Sequence, residues 1–407
     1  MVGATLEPNM AGDPIYLDHH ATTPVDRRVV QAMLPFFSER YGNAASSTHR
    51  FGREARQAVE EARAEIANWL GTAADEVVFT SGATESDNLA ILGTARALRD
   101  RGRHVVTLRT EHRAVLDSCR ALEKEGWRVT YLDVDEKGLV SADEVAEALT
   151  EDTVLLSVML ANNEIGVVQD IRALSALAAE RGVLFHCDAA QGLGYLSDPV
   201  ADADLISLSA HKIYGPKGIG ALVVRESARD QGAPAALVHG GGHEGGLRSG
   251  TLDVPSIIGF GQAAALMRHE GAAEAVRLAS LRDALRDRLL AVEHARLNGS
   301  SDRRHPGNLN VSFGFVEGAA LLLAVSDRIA VSSGAACSSA VPGPSYVLEA
   351  LGVPKEEAAA SIRFGVGRET TEAHIEAAGD VVVDAVAALR ERSPHWKRRA
   401  LGKPVDW

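Results

Sequence analysis

Cysteine is scarce in this sequence, with three residues in 407. Three cysteines cannot form the disulfide framework of a small secreted domain, and Cys119, Cys187 and Cys337 lack the C-x-x-C spacing of a structural zinc site. Because free thiols persist in a reducing compartment, we predict a cytoplasmic protein with no metal site. Each cysteine therefore needs an explanation of its own.

Long apolar runs and an excess of positive charge are also missing. No apolar stretch approaches the ~18 residues of a membrane-spanning helix, and Met1–Pro14 lacks the basic and apolar segments of a signal peptide. The sequence has 42 Lys+Arg against 55 Asp+Glu, a formal net charge of −13. This acidic balance argues against direct nucleic-acid binding, which needs a basic surface. We expect a soluble globular protein with no membrane partner.

Short apolar segments alternate with helical patterns through the first 260 residues. Helical spacing is clear over Arg53–Leu70, Asn88–Asp100 and Ile171–Arg181. This alternation predicts an α/β fold whose mainly parallel sheet is covered by helices on both faces. The candidate strands are Glu76–Thr80, His104–Thr107, Arg128–Leu132, Val154–Leu160, Val183–Asp188 and Leu205–Ser209.

The composition of the sequence changes after Gly259. Long Ala/Leu/Arg-rich helices are predicted over Gly261–Arg288 and Glu372–Arg392. We predict a large domain over residues 25–262 and a smaller α+β domain over residues 263–407. Residues 1–24 are predicted to form an arm that packs with the small domain.

A candidate phosphate site lies where the strand ending at Thr80 meets the next helix. Small and hydroxyl residues, Ser81-Gly-Ala-Thr84, stand at this junction. Free N–H groups and the helix dipole favour anions there, so Ala83 and Thr84 could hold a phosphate. The alternative is an ordinary helix cap by Thr84 or Ser81. No Walker sequence is present.

Polar clusters follow three further candidate strands. They are Ala161–Gly166, Asp188–Gln191 and Ser209–Gly220. Because ligands bind beyond the carboxyl ends of parallel strands, one shared ligand explains all three clusters. A carboxylate is the usual partner of a protonated pyridine nitrogen, and a lysine can bond covalently to a carbonyl group. Together with the phosphate site, the set indicates pyridoxal 5'-phosphate.

Five segments carry a resemblance to a known family. They are Ser81–Asn88, Asn162–Gly166, His211–Gly218, Arg248–Thr251 and Ser332–Cys337. In order and sequence they resemble those of bacterial cysteine desulfurases, the NifS/IscS-like branch of the class V, fold-type I pyridoxal-phosphate-dependent transferases. The likeness runs from Tyr16 almost to the C-terminus.

The resemblance implies a role for each site residue. Lys212 would bond to the cofactor and move the Cα proton, and Asp188 would pair with the pyridinium nitrogen. His112 would stack on the ring and act as a further catalytic residue in proton transfer. Gln191 would donate to the phenolate oxygen, with Asn163 positioning ring and substrate. Arg363 would bind the substrate carboxylate. The phosphate would be held by Ala83, Thr84, Ser209 and His211, joined by Thr251 of the neighbouring subunit in a homodimer.

Cys337 lies in a stretch of small residues, Val331–Pro344, typical of a loop. The resemblance implies that its thiolate attacks the sulfur of L-cysteine, releasing L-alanine and leaving a persulfide. That sulfur would pass to an acceptor protein, such as an iron–sulfur scaffold, for cluster assembly or for thio-modification of tRNA or DNA. Cys119 and Cys187 are predicted to be packing residues.

Several alternatives stay open on the sequence alone. Lys217, in the turn between Pro216 and Gly218, is the rival of Lys212. The same scaffold could serve a selenocysteine lyase, an aminotransferase, or a subunit that carries persulfide without generating it. The family commonly has arginine at the position of Gly245 and serine at that of Gly365, so these two glycines depart from its pattern.

Overall fold

A seven-stranded sheet forms the centre of the larger part of the molecule. The computed structural model describes residues 13–196, 200, 202–333, 345–402 and 404. Six strands are parallel and Gly220–Val224 is antiparallel to both of its neighbours, which confirms the predicted mainly parallel sheet. In spatial order the strands are Val77–Thr80, Gly220–Val224, Leu205–Ser209, Leu184–Asp188, Thr153–Ser157, His104–Leu108 and Arg128–Leu132.

Helices cover both faces of this central sheet. Alternate strand residues enter different cores: Phe185 and Cys187 pack on one face and Leu184 on the other. Such two-sided burial explains the continuous apolar character of the strands. The helices of this part are Arg27–Met33, Pro35–Ser38, Arg50–Leu70, Ala83–Asn88, Thr94–Ala97, Arg113–Lys124, Ala142–Ala148, Ile171–Glu180 and Glu226–Arg229, with 3₁₀ turns at Ala74–Glu76, Ala210–Lys212 and Glu244–Gly246.

A smaller antiparallel sheet supports a second apolar core. Its strands, in spatial order, are Ser332–Ser333, Ser361–Gly365, Asn308–Phe313 and Ala295–Leu297. The chain's first strand, Ile15–Tyr16, pairs in parallel with Ile329–Ala330, and Leu17 is buried in the smaller core. The helices here are Gly318–Val325, Tyr346–Ala350, Lys355–Ala359, Glu372–Arg392 and Pro394–Ala400.

One long helix, Val254–Leu290, connects the two cores and is called the bridging helix below. Its first half, through Met267, packs in the large core, and Leu278 to Leu289 pack in the small one. The helix begins earlier than the predicted Gly261 because Asp253 caps it and Pro255 is tolerated in its first turn. The predicted division between residues 262 and 263 falls inside this helix and stays a prediction.

The helix predicted over Asn88–Asp100 begins earlier, at Ala83. It runs through a π-helical turn at Leu89–Gly93 and ends at Ala97. The segment Ala83–Asn88 is thus the first part of this helix. Across the described ranges, no helix has both the length and the apolar character that crossing a bilayer requires.

Candidate active site

A cavity of about 690 Å³ lies where strands of the central sheet end and the smaller sheet approaches. This volume is typical of a site for a small molecule or cofactor. Asp188 and Ser209 are the last residues of their strands, which explains why side chains distant in sequence converge. Ten of the predicted residues line the cavity: Ala83, Thr84, His112, Asn163, Asp188, Gln191, Ser209, His211, Lys212 and Arg363.

The predicted phosphate site is formed by the start of the helix at Ala83. The residue that precedes this helix is Gly82, whose φ of 148° favours glycine, and no side chain caps the first turn. The alternative of a cap by Thr84 or Ser81 is therefore wrong. Because the helix continues to Ala97 and its first turn faces the cavity, its positive end is suited to a phosphate group.

Asp188 supplies a deeply buried carboxyl group to the cavity. It is 4% exposed, and its Oδ1 accepts a hydrogen bond from Ala190 N over 3.0 Å. Burial raises the pKa of Asp188, whereas the charges of His112 and Lys212 act to lower it. Among the described residues, none forms an ion pair with Asp188 at close range. A protonated pyridine nitrogen would supply the missing cation.

Asp87 lies behind Asp188 and is fully buried. Burial and the charge of the neighbouring Asp188 together raise the pKa of Asp87 well above its usual value. Potential ligand atoms of Asp87, His112 and Asp188 lie within 4.8 Å of one another. No spacing in the sequence indicated this cluster, and the expectation of no metal stays a prediction.

His112 begins the helix Arg113–Lys124, and its side chain caps that helix. His112 Nδ1 accepts from Ala114 N over 3.2 Å, so the ring proton of the neutral histidine is on Nε2. Burial lowers the pKa of His112 below its usual value. The helix start therefore fixes both the tautomer and the position of a ring that lines the cavity.

Both candidate lysines line the cavity, but their settings differ. Lys212 is half-buried and donates through Nζ to the backbone oxygens of His20 and Ala21. Lys217 is exposed at the rim. The deeper position of Lys212, on the 3₁₀ turn after the strand that ends at Ser209, favours it as the residue that bonds to a cofactor.

Arg363 is 1% exposed, yet it lines the cavity. Its Nη2 pairs with Asp18 Oδ1 at 2.7 Å, and its Nη1 donates to the Asn163 carbonyl oxygen at 3.0 Å. Within the described ranges its buried Nε has no hydrogen-bond partner. Because the residue lines the cavity and its planar guanidinium matches the geometry of a carboxylate, Arg363 fits the role of binding a substrate acid group.

Asp18 and His20 also line the cavity, and neither was predicted as a site residue. Asp18 pairs with Arg363 and also accepts from Ser332 Oγ at 2.8 Å. Both residues lie in the arm, two positions apart in Leu17-Asp-His-His20. A run of adjacent polar residues after a short apolar strand was the available signal.

Two predicted residues are not brought into this cavity. Thr251 is exposed and does not line this cavity. A residue that contributes to the site of a second subunit would be exposed in the same way. Cys337 lies outside the described residues. The described segment ends at Ser333, directly after the cavity-lining Ser332. The other two cysteines, Cys119 and Cys187, are fully buried in apolar cores, in agreement with a packing role.

Comparison with known proteins places the chain in a family. Residues 15–378 match the family described as aminotransferase class-V. The chain belongs to the aminotransferase class-V family. A "Cysteine desulfurase IscS" from an Anaeromyxobacter species is 56% identical over 400 residues, covering 97% of this chain and 98% of that protein. The structure is similar to a "NifS-like protein", with TM-score 0.85 and 34% identity over 92% of this chain and 100% of that one. It is also similar to "SspA in complex with cysteine", with TM-score 0.77 and 37% identity over 86% of this chain and 98% of that one.

Enzymes of this family use pyridoxal 5'-phosphate, and the cavity fits that cofactor. The uncapped helix start suits its phosphate, the buried Asp188 carboxyl suits its ring nitrogen, and Lys212 lies on the wall between them. The predicted fold class is confirmed by the family and by the seven-stranded sheet.

Proposed function

We propose that the protein is a cysteine desulfurase that converts L-cysteine to L-alanine and takes up the sulfur as a persulfide on Cys337. The convergence of Asp188, Lys212, the helix start at Ala83 and Arg363 in one cavity carries the proposal. The identity of 56% to a cysteine desulfurase over almost the whole chain supports it.

The role of each site residue follows from its position in the cavity. When bound, pyridoxal phosphate supplies an electron sink conjugated to the substrate's Cα. Arg363 binds the substrate carboxylate and so orients the Cα–H bond, while Lys212 accepts that proton and later returns it. Asp188 would hold the ring nitrogen in its cationic form. His112, with its proton on Nε2, would stack on the ring, and Asn163 and Gln191 would orient ring and substrate.

Cys337 would act as a thiolate on the substrate sulfur. The Cys337 sulfur bonds to the substrate sulfur as the substrate's C–S bond breaks, so the bonding electrons return to carbon and alanine leaves after protonation. The persulfide then reacts with an acceptor protein such as an iron–sulfur scaffold, for cluster assembly or thio-modification of tRNA or DNA. A reducing cytoplasm would keep the thiol free for the next cycle.

A homodimer belongs to the proposal because Thr251 would reach the phosphate of a second copy. The exposed apolar side chains Leu34, Phe37, Tyr41 and Phe51 provide surface that a second copy could cover. The large domain over residues 25–262, the small domain over 263–407 and the arm over 1–24 would assemble around each of two sites.

The test is product analysis with L-cysteine and a reductant. We expect alanine and sulfide in equal amounts from the wild type, and a Cys337→Ala variant that stays yellow but loses sulfide release. Unchanged sulfide release in this variant would contradict the mechanism. Alanine from selenocysteine but not from cysteine would indicate a lyase, and amino-group transfer to a keto acid would indicate an aminotransferase.

A further inference from the structure

The side chain of Gln191 is held by His20 at both ends of its amide group. Gln191 Nε2 donates to the His20 carbonyl oxygen over 2.9 Å, and Gln191 Oε1 lies 3.1 Å from His20 Nδ1. We propose that His20 is a positioning residue that turns the Gln191 amide so that its remaining N–H faces the cofactor oxygen. The inference rests on the proposed function and deepens it.

The direction of both hydrogen bonds follows from one constraint. A backbone carbonyl only accepts, so the nitrogen of the Gln191 amide must be the atom that faces the His20 carbonyl. Gln191 Oε1 then faces His20 Nδ1, and that ring nitrogen must carry the hydrogen. Among the residues that the structure describes, none accepts the second N–H of Gln191 Nε2, and this side chain lines the cavity.

The surroundings of His20 keep it in this neutral, Nδ1-protonated form. Its side chain is 4% exposed, and its ring packs edge-on against His305 at a centroid distance of 4.7 Å. Burial lowers the pKa of His20 well below its usual value, and His305, Arg363 and Lys212 lower it further. The ring therefore stays a fixed donor to Gln191 across the physiological pH range.

The same short segment also contacts Lys212. The backbone oxygens of His20 and Ala21 both accept from Lys212 Nζ. One piece of the arm thus touches the two residues that act on adjacent parts of the cofactor, the lysine that bonds to it and the glutamine beside its ring oxygen. This contact makes the arm part of the site rather than a peripheral extension.

Gly365 allows the arm to come this close. A Cβ atom at Gly365 would lie 2.6 Å from His19 N and 2.8 Å from His20 N, closer than backbone atoms tolerate. The position at which the family commonly has serine is thus one where this chain has no room for a side chain. The absence of a side chain at Gly365 is therefore what leaves room for the backbone of His20 at this position.

A correctly turned Gln191 lowers the pKa of the bound cofactor. A hydrogen bond donated to the deprotonated ring oxygen stabilises that form. Without Nδ1–H of His20 the Gln191 amide would be held only by the His20 carbonyl, and its remaining N–H would be free to turn away from that oxygen. Losing one hydrogen bond of ordinary strength shifts a pKa by about 0.5 to 1 unit. The pH at which the bound cofactor changes colour reports this shift directly.

The experiment is an absorbance titration of the substrate-free holoenzyme. We expect His20→Phe to raise the midpoint by about 0.5 to 1 unit, and His20→Asn, whose amide N–H can replace Nδ1–H, to keep it near the wild-type value. His104→Phe is the matched control, because His104 is fully buried and hydrogen-bonded between strands but does not line the cavity.

A double variant tests whether His20 acts through Gln191. The titration midpoint of the His20→Phe/Gln191→Leu double variant should equal that of Gln191→Leu alone, because His20 has no effect once the Gln191 amide that it positions is absent. A wild-type midpoint in His20→Phe, or shifts that add in the double variant, would overturn the proposal. The titration needs no turnover, so failure of desulfurase activity would refute the proposed function while leaving this test intact.

Discussion

At the scale of single residues, Arg363 combines deep burial with a hydrogen-bonding group still to be satisfied. Asp18 and the Asn163 carbonyl hold two of its nitrogens, while its Nε is buried with no partner in the part of the chain that the structure describes. Because two nitrogens of the planar guanidinium are held, the direction of the third donor, Nε–H, is fixed. This geometry is difficult for any other side chain to reproduce.

We expect Arg363→Lys to raise KM for L-cysteine by about 10- to 100-fold, because lysine loses the planar fork that matches a carboxylate. The cofactor spectrum should not change. Steady-state alanine production over a range of L-cysteine concentrations measures the effect. Arg96→Lys, which alters a surface pair with Glu125, is the control, and an unchanged KM in Arg363→Lys would refute the role.

The buried cysteines give a second prediction at this scale. Both Cys119 and Cys187 are fully buried, and burial raises the pKa of Cys119 to about 12 and that of Cys187 well above its usual value. Thiols without access or charge react slowly with alkylating agents. Native protein should therefore take up one maleimide per chain, on Cys337, and urea-unfolded protein three, as counted by mass spectrometry. A label on Cys187 in native protein would contradict the packing role.

At the scale of elements, the bridging helix depends on a close approach to the helix Arg50–Leu70. A Cβ atom at Gly261 would lie 2.7 Å from both the Cα and the Cβ of Ala62. Only glycine permits this contact, since the neighbouring atoms are backbone and the first atom of a side chain. The close approach of the bridging helix to the helix Arg50–Leu70 thus requires glycine at position 261.

Gly261→Ala should lower the free energy of unfolding by about 1–3 kcal/mol, the usual cost of overpacking. Urea unfolding followed by circular dichroism measures it. Gly379→Ala is the matched control, because a Cβ there would meet the flexible end of the Arg288 side chain, which can move aside. If both variants were equally stable, the close approach would not be limiting.

Local patterns predicted the elements better than their ends. The strands Arg128–Leu132 and Leu205–Ser209 and the helix Glu372–Arg392 match their predicted bounds, because apolar periodicity and burial coincide there. The bridging helix was predicted too short, over Gly261–Arg288, because the apolar pattern marks its middle and not its capped start; Asp253 caps it, and proline at position 255 is compatible with a first turn.

The site was predictable where residues follow strands and unpredictable where the arm meets it. Asp188 and Lys212 stand at strand ends, which topology brings together. His20 reaches Gln191 across 171 residues, and Asp18 reaches Arg363 across 345. No spacing within the sequence encodes contacts of that range, since they depend on the packing of the whole fold.

At the scale of the whole molecule, burial keeps many histidines neutral. The pKa falls to about 4 for His104 and to about 3 for His186 and His305, in each case chiefly through burial. An unfolded chain would protonate these groups near pH 6.5. Buried carboxyls act in the opposite sense, as burial raises the pKa of Glu164 to about 7. The histidines with lowered pKa outnumber the carboxyls with raised pKa; the two sets are His19, His20, His104, His112, His186, His211 and His305, and Asp87, Glu111, Glu164 and Asp188.

Stability should therefore fall as the pH is lowered from about 6.5 to about 5. In this window the unfolded chain binds more protons than the folded one, so the free energy of unfolding rises with pH. Urea midpoints at a series of pH values measure the slope. His104→Phe should flatten it by about one proton, and a slope identical to that of the wild type would contradict the lowered pKa of His104.

The pairing of the arm has a consequence for the order in which the site can be assembled. Leu17 N bonds to Ala330 O at 2.9 Å, and the His19 ring bonds to the Gly365 carbonyl 346 residues further along the chain. During synthesis the arm leaves the ribosome early, but its partners are among the later parts to appear. Contacts of such long range form late in folding. The cofactor would therefore find its complete binding site only in a nearly finished chain, and its capture would be one of the last steps of maturation.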